Sequence, residues 1–257
     1  MSDFYADMQF LVFILVGLVC GFIDSALGMG YGVSSAAVLI SLGLSPAVVS
    51  ASVHTAEGFV DTVSGVSHYK LGNLEKDLFW RLVIPGVLGA VLGALFISWM
   101  SLQFAKPFVS GVLLLMGVII FFRFMRRRIV IQRKIPTSLV PFLGFVAAFI
   151  DVSGGGGWGP LVTPVFILGG SEPRKVVGTV EITEPFISFT AMIVFGFTLG
   201  FESFLWPIVI PVMLGGFILT PIAALVTRRI PKRLLGVLVG LLLIILNGKT
   251  FLETIFR

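Results

Sequence analysis

The amino-acid sequence predicts an all-α integral membrane protein made of two inverted repeats, each a glycine-broken helix hairpin plus three transmembrane helices. Three observations lead there: an apolar composition, an internal repeat, and basic residues gathered into four short loops. Of the 257 residues, 57% are apolar and only 12% are charged, with a mean hydropathy of +1.08. Soluble domains carry about 25% charged residues, and a chain with half that share cannot coat a core with a polar shell. The apolar excess also excludes a disordered chain, and the lack of a glycine period excludes collagen.

Apolar stretches run 9–43, 46–66, 77–99, 105–123, 137–168, 173–200, 203–227 and 234–247. Several match the ~20 residues a helix needs to cross the hydrocarbon. The residues before the first stretch include Asp3 and Asp7 but no Lys or Arg. A cleavable signal peptide wants a basic start, so the first stretch reads as retained. Stretches 9–43 and 137–168 are too long for one span. Gly28, Gly30 and Gly32 interrupt the first, and Gly154, Gly155, Gly156, Gly157 and Gly159 the second. Each glycine costs a helix up to about 1 kcal/mol relative to alanine, so both stretches read as helix, break, helix.

The two breaks are related. Residues 22–59 align with 149–186 at a constant offset of 127, without a gap and with 14 of 38 positions identical. The identities include Asp24 with Asp151, Pro46 with Pro173 and Glu57 with Glu184. Past one or two small gaps, Trp80, Pro85 and Gly89 match Trp206, Pro211 and Gly215. Apolar helices resemble each other by composition, but acids, prolines and tryptophans at matching spacing do not arise that way.

Charge orients the halves. If each broken stretch returns to its starting side, by two crossings or as a re-entrant hairpin, and the N-terminus lies outside, the inner loops are 67–81, 123–136, 169–175 and 226–233. These loops hold 15 of the 18 Lys and Arg residues, leaving Lys106, Lys249 and Arg257 elsewhere. A single crossing per broken stretch would put the basic residues of 126–134 and 228–233 on opposite faces. The positive-inside bias favours the first arrangement, with both termini outside. Each half then makes an odd number of crossings, and the second is inverted. Inverted repeats with discontinuous helices are the architecture of secondary transporters. The expected organisation is a first repeat at 1–125, a cytoplasmic basic linker at 126–136 and a second repeat at 137–257.

Six carboxylates lie within or at the edges of apolar stretches: Asp24, Glu57, Asp61, Asp151, Glu181 and Glu184. A charge at mid-membrane costs at least a few kcal/mol, so such residues face a cavity, pair up or stay protonated. Asp24 and Asp151 just precede their breaks, where two roles are open: capping freed backbone N–H groups, or gating. Glu57 and Glu184 each lie eleven residues past the matching proline. His54 precedes Glu57 by three residues and Glu181 precedes Glu184 by three, so each pair shares a helix face. Histidine and carboxylates on inward faces suit proton coupling, the alternative being a buried hydrogen-bonded network that fixes packing.

The glycine breaks expose backbone N–H groups at the starts of half-helices, which bind anions through hydrogen bonds and the helix dipole. The expected substrate site is Gly154, Gly155, Gly156, Gly157 and Trp158, mirrored at Gly30, Tyr31 and Ser34. Tyr31 and Trp158 occupy equivalent repeat positions, where their rings either wall the pocket or pack. Close helix approach is the other use of such glycines.

Other functions lack residues to carry them. The net charge of +5 sits in short loops rather than in a basic domain, so nucleic acid is not an expected partner. Cys20 is the one cysteine, which leaves no disulfide framework and no thiolate metal cage. Ser153 lacks the Gly-x-Ser-Gly frame of an intramembrane serine protease, and neither Asp24 nor Asp151 completes a Gly-x-Gly-Asp motif. No Walker lysine motif is present. No enzyme activity, cofactor or metal site is expected. A cation carrier using the six carboxylates stays open as a rival, although the acids are spread over both halves.

The run Asp151-Val152-Ser153-Gly154-Gly155-Gly156-Gly157-Trp158-Gly159-Pro160 is echoed by Asp24-Ser25-Ala26-Leu27-Gly28-Met29-Gly30-Tyr31-Gly32. Together they resemble the duplicated signature of the TauE/SafE sulfite exporter family, also called the toluene sulfonate uptake permeases, over almost the whole chain. The resemblance implies transport of sulfite, sulfonates such as sulfoacetate, or other small sulfur-containing anions, often as export. It also implies a bacterial inner membrane and a homodimer. Leu27 and Met29 stand where the second copy has Gly154 and Gly156, so the halves are expected to contribute unequally.

Overall fold

A computed structural model describes residues 2–27, 29–125, 135–226 and 232–256. Most of the expected linker, 126–134, lies outside the described residues. The first half contains α1 (Ser2–Leu27), α2 (Tyr31–Ser41), α3 (Pro46–Lys70), α4 (Lys76–Trp99) and α5 (Leu102–Met125). The second contains α6 (Val140–Gly154), α7 (Trp158–Leu168), α8 (Pro173–Leu199), α9 (Trp206–Val226) and α10 (Lys232–Ile255), with one 3-10 turn at Phe201–Ser203. Each half is thus a broken pair followed by three helices, and no strand occurs among the described residues. Among the described residues, four helices, Lys76–Trp99, Leu102–Met125, Pro173–Leu199 and Arg233–Ile255, are long and apolar enough to cross a bilayer. The protein is an all-α, multi-pass membrane protein.

Local chemistry sets the boundaries. Pro46 and Pro173 open α3 and α8, where a missing N–H costs nothing and the fixed φ suits the first turn. Gly30 (φ +125°) and Gly157 (φ +152°) precede α2 and α7 in backbone conformations that only glycine adopts without strain. The breaks are narrower than the glycine clusters, since Gly32 and Gly159 lie inside α2 and α7. α10 runs past the apolar stretch that ends at 247, because hydropathy marks the bilayer and not the helix end. Lys249 and Glu253 lie 3.9 Å apart, one turn from each other on its exposed face.

The polarity is that of a lipid-soluble protein. Large apolar side chains such as Trp99, Phe142, Phe197 and Leu241 are exposed, while His54, Glu57, Asp61, Asp151 and Glu181 are buried. The four most extensive helix pairings all join one half to the other: α1 with α9, α4 with α6, α3 with α8, and α5 with α10. Small residues permit the close ones. Gly89 and Gly93 of α4 lie against the Phe145 and Phe149 backbone of α6, and Gly17 and Gly215 bring α1 and α9 together in the same way. Equivalent helices run antiparallel where they meet. Ser64 of α3 reaches Glu181 of α8 while the earlier Glu57 is reached by the later Ser188. In α5 and α10, Gly111 lies against Phe251, Gly117 against Leu243, and Phe121 against Gly240.

The described parts of the four basic loops lie together. Arg174 donates to the Asn73 Oδ1 at 2.7 Å, Arg233 donates to the Met125 carbonyl at 3.2 Å, and Ile135 packs at Gly169.

Candidate functional site

Along α3, His54, Glu57, Asp61 and Ser64 recur at helical spacing on one face, as Glu181, Glu184 and Ser188 do along α8. The antiparallel packing of α3 on α8 turns these two stripes toward each other. The 127-residue offset makes Glu181 the counterpart of His54, Glu184 of Glu57, and Ser188 of Asp61.

Both aspartates at the breaks cap the helix that follows. Asp24 Oδ1 accepts from the Tyr31 N–H at 3.3 Å, and Asp151 Oδ1 accepts from the Trp158 N–H at 3.0 Å. A carboxylate at a helix start satisfies an orphan donor and meets the positive end of the dipole. Of the two roles the sequence leaves open, capping is therefore filled at both breaks. Asp151 does more. Its Oδ2 lies 3.2 Å from His54 Nε2, across the boundary between the halves. His54 Nδ1 lies 2.8 Å from the Ser50 carbonyl, and the Ser50 hydroxyl donates to the Val152 carbonyl at 2.5 Å. Nδ1 facing a carbonyl carries its own hydrogen, so a hydrogen bond between Nε2 and Oδ2 requires a further proton, on the imidazole or on the carboxyl. Glu57 Oε2 is 4.0 Å from the same Nε2 and 3.5 Å from the Ser188 hydroxyl that donates to it.

The two glycine breaks touch. A Cβ at Gly156 would collide with the Val33 nitrogen and the Gly32 carbonyl carbon, and one at Gly32 would meet Glu57 Oε1 at 2.7 Å. Gly156 is therefore fixed by backbone contact with the other half. Gly155 (φ +79°) lies against Ala36 of that half as well, and it ends α6 in the left-handed conformation. Tyr31 and Trp158 are fully buried but diverge: the Tyr31 ring packs at Gly216 and its hydroxyl donates to the Val212 carbonyl at 3.2 Å, while Trp158 packs at Gly86. The Ser34 hydroxyl and the Trp158 Nε1 are buried without a hydrogen-bond partner.

Sequence distance hides the clustering of the acids. Ligand oxygens of Asp24, Asp61 and Glu181 all lie within 4.8 Å of one another, and so do those of Glu57, Asp61 and Glu184. Being spread over both halves of the sequence does not separate these residues, because α3 and α8 cross. Among the described residues, His54 is the one basic group within ion-pair distance of any of the six carboxylates. An unpaired buried charge costs several kcal/mol, so keeping all six ionised without a proton or a cation to meet them is unfavourable. Three hydroxyls join the site without having been expected there: Ser50, Ser64 and Ser188. The signals for the last two are their places in the helical stripes; Ser50 has only its position one turn before His54.

Residues 13–250 match the family described as sulfite exporter TauE/SafE. The chain is also 44% identical over 251 residues to the "Probable membrane transporter protein YtnM" of Bacillus subtilis (strain 168), an alignment covering 95% of this chain and 83% of that protein. No solved structure gives a significant match.

Proposed function

The chain belongs to the TauE/SafE sulfite exporter family, and from that membership we propose a proton-coupled secondary transporter that exports small sulfur-containing anions, sulfite or organosulfonates such as sulfoacetate. It is a membrane transporter and not an enzyme. We take the two halves as inverted repeats in a cell inner membrane, termini outside, with the chain acting as a homodimer. The antiparallel course of α3 against α8 and of α5 against α10 supports the inversion. The gathering of the basic loops at one end supports the orientation.

One observation carries the mechanism: His54 Nε2 lies 3.2 Å from Asp151 of the other half and 4.0 Å from Glu57, which places an imidazole between two buried carboxylates. We place the anion at the glycine breaks, around Gly154, Gly155, Gly156, Gly157 and Trp158 and around Gly30, Tyr31 and Ser34. The Tyr31 and Trp158 N–H groups are taken by Asp24 and Asp151, and the donors that support the placement are the unpartnered Ser34 hydroxyl and Trp158 Nε1. An anion arriving there makes each neighbouring carboxylate costlier to keep ionised, so its binding favours protonation of Glu57 and Glu184. Release of the anion on the far side lets those protons go. Linked binding of this kind carries anion and proton in the same direction, so export follows an outward anion gradient and is accelerated when the inner side is the more acidic. The test is flux of sulfite, sulfoacetate and toluenesulfonate in proteoliposomes, with and without an imposed pH gradient. Flux above that of protein-free vesicles, accelerated by the gradient, is expected for at least one of the three. Equal flux in loaded and empty vesicles for all three sinks the reading.

A further inference from the structure

We propose that Asp24, Asp61 and Glu181 form a binding site for a hard cation, sodium or a divalent ion of the calcium and magnesium kind. The site is distinct from the His54–Asp151 proton pair and does not depend on which anion is carried. Three carboxylates alone would not justify it. Asp61 adds the observation that points to a ligand: the residue is 1% exposed, and neither Oδ1 nor Oδ2 has a hydrogen-bond partner. A buried carboxylate left in that state costs more than any ordinary side chain, unless something absent from the polypeptide meets it.

The internal repeat identifies what is absent. In one half of the site, Asp151 faces His54 at 3.2 Å, and the imidazole brings the proton that the carboxylate needs. The 127-residue offset carries that pair onto Asp24 and Glu181. There the histidine is replaced by a second acid, and no Lys, Arg or His takes over its role among the described residues. The acid count diverges in the same direction. The repeat sets Ser188 against Asp61: the hydroxyl goes with the His54–Asp151 pair, and the extra acid with Asp24 and Glu181. A cation at the second position would stand in for the imidazole's positive charge at the first.

Two of the three carboxylates are also held in place. Tyr31 N–H fixes Asp24 through Oδ1, and the Ser64 hydroxyl fixes Glu181 through Oε2 at 2.7 Å. One oxygen of each carboxylate is thereby anchored, leaving the other, with both oxygens of Asp61, for a ligand. All the donors are carboxylate oxygens, which select hard cations over zinc or copper. Calcium–oxygen distances of about 2.3–2.6 Å place opposed ligands up to about 5 Å apart, and these oxygens lie within 4.8 Å. Asp61 also belongs to the cluster with Glu57 and Glu184, so a bound ion sits one carboxylate away from the proton-holding groups.

The test is the thermal unfolding midpoint of the purified full chain in detergent. Sodium chloride, calcium chloride and magnesium chloride are each titrated against choline chloride at constant ionic strength. A saturable rise is expected with sodium or with one of the divalent ions, following the ordinary mass-action law for a ligand of the folded state. Asp61→Asn should abolish it, and Glu181→Gln should weaken the apparent affinity by about tenfold or more. Should Asp61→Asn not fold, Glu181→Gln and Ser64→Ala carry the test. Glu253→Gln, on the exposed face of α10, should leave the rise unchanged. Superimposable curves in all four salts overturn the proposal, and so does an equal loss in Glu253→Gln, which would make the effect a general charge response. Sulfite flux in choline medium under a pH gradient is read in parallel. Intact flux without any cation response would refute this site and leave the transporter reading standing.

Discussion

At the scale of residues, Asp151 uses its two oxygens for different tasks, capping Trp158 with Oδ1 and facing His54 with Oδ2. Asparagine keeps an acceptor for the cap but cannot carry the charge. Asp151→Asn should therefore fold with a near-normal midpoint and lose the acceleration of flux by a pH gradient. Asp151→Ala should lose both, with a cap penalty of about 0.5–2 kcal/mol. Thermal unfolding and proteoliposome flux, run on both variants, separate the roles. If Asp151→Asn transports like the parent, the pair is structural. Glu57 and Glu184 are tested by glutamine, which mimics the neutral acid and cannot release a proton. Glu57→Gln and Glu184→Gln should retain sulfonate binding in calorimetry while pH-driven accumulation falls. The effects should be unequal, because Glu57 touches Gly32 and lies near His54, whereas Glu184 lies with Glu57 and Asp61. Full accumulation in both would make these glutamates packing residues. Gly156 is a poorer probe than its sequence position implies. Any side chain there meets the Val33 backbone, so a substitution perturbs folding before it perturbs a ligand.

At the scale of elements, α4 can pack on α6 only because Gly89 and Gly93 carry no side chain toward the Phe145 and Phe149 backbone. Gly89→Val should shift the protein to aggregate in size-exclusion chromatography. Gly248→Ala, whose new methyl would find its nearest neighbour at 3.8 Å, should leave a monodisperse peak. Monodisperse Gly89→Val protein would show that the helices can separate without cost. Much of this level was legible in the sequence. The breaks, the proline-led starts of α3 and α8 and the order of helices within each half follow from hydropathy and glycine chemistry, which act over a few residues. The capping role of Asp24 and Asp151 was legible for the same reason. What the sequence hid was the meeting of acids from α3 and α8, because helix crossings depend on packing between segments more than a hundred residues apart. Ser64 and Ser188 were hidden with it, since a serine in an apolar helix is ordinary until its partner is known. The helical termini beyond the apolar stretches were missed because hydropathy reports lipid contact and says little about where hydrogen bonding stops.

At the scale of the whole molecule, topology is the quantity to measure. Cys20 is buried, so its background labelling by an impermeant reagent is low. Single cysteines at Gln132 and Ser2 should then behave oppositely in intact cells, Ser2→Cys labelling with a maleimide and Gln132→Cys staying protected until the membrane is opened. The reverse pattern would place the basic loops outside and defeat the orientation. The pairing of every major interface between halves has a further consequence, for how the protein is made. A ribosome adds about 5–20 residues per second, and α1 leaves it roughly 200 residues ahead of α9, so α1 waits about 10–40 s for its partner. For that interval Gly17 faces lipid or the insertion machinery without the Val212 backbone it packs on. A chain cut off after α5 would be five helices without their main companions, not half a transporter. Newly synthesised protein should accordingly depend on being sheltered in the membrane until its second half arrives.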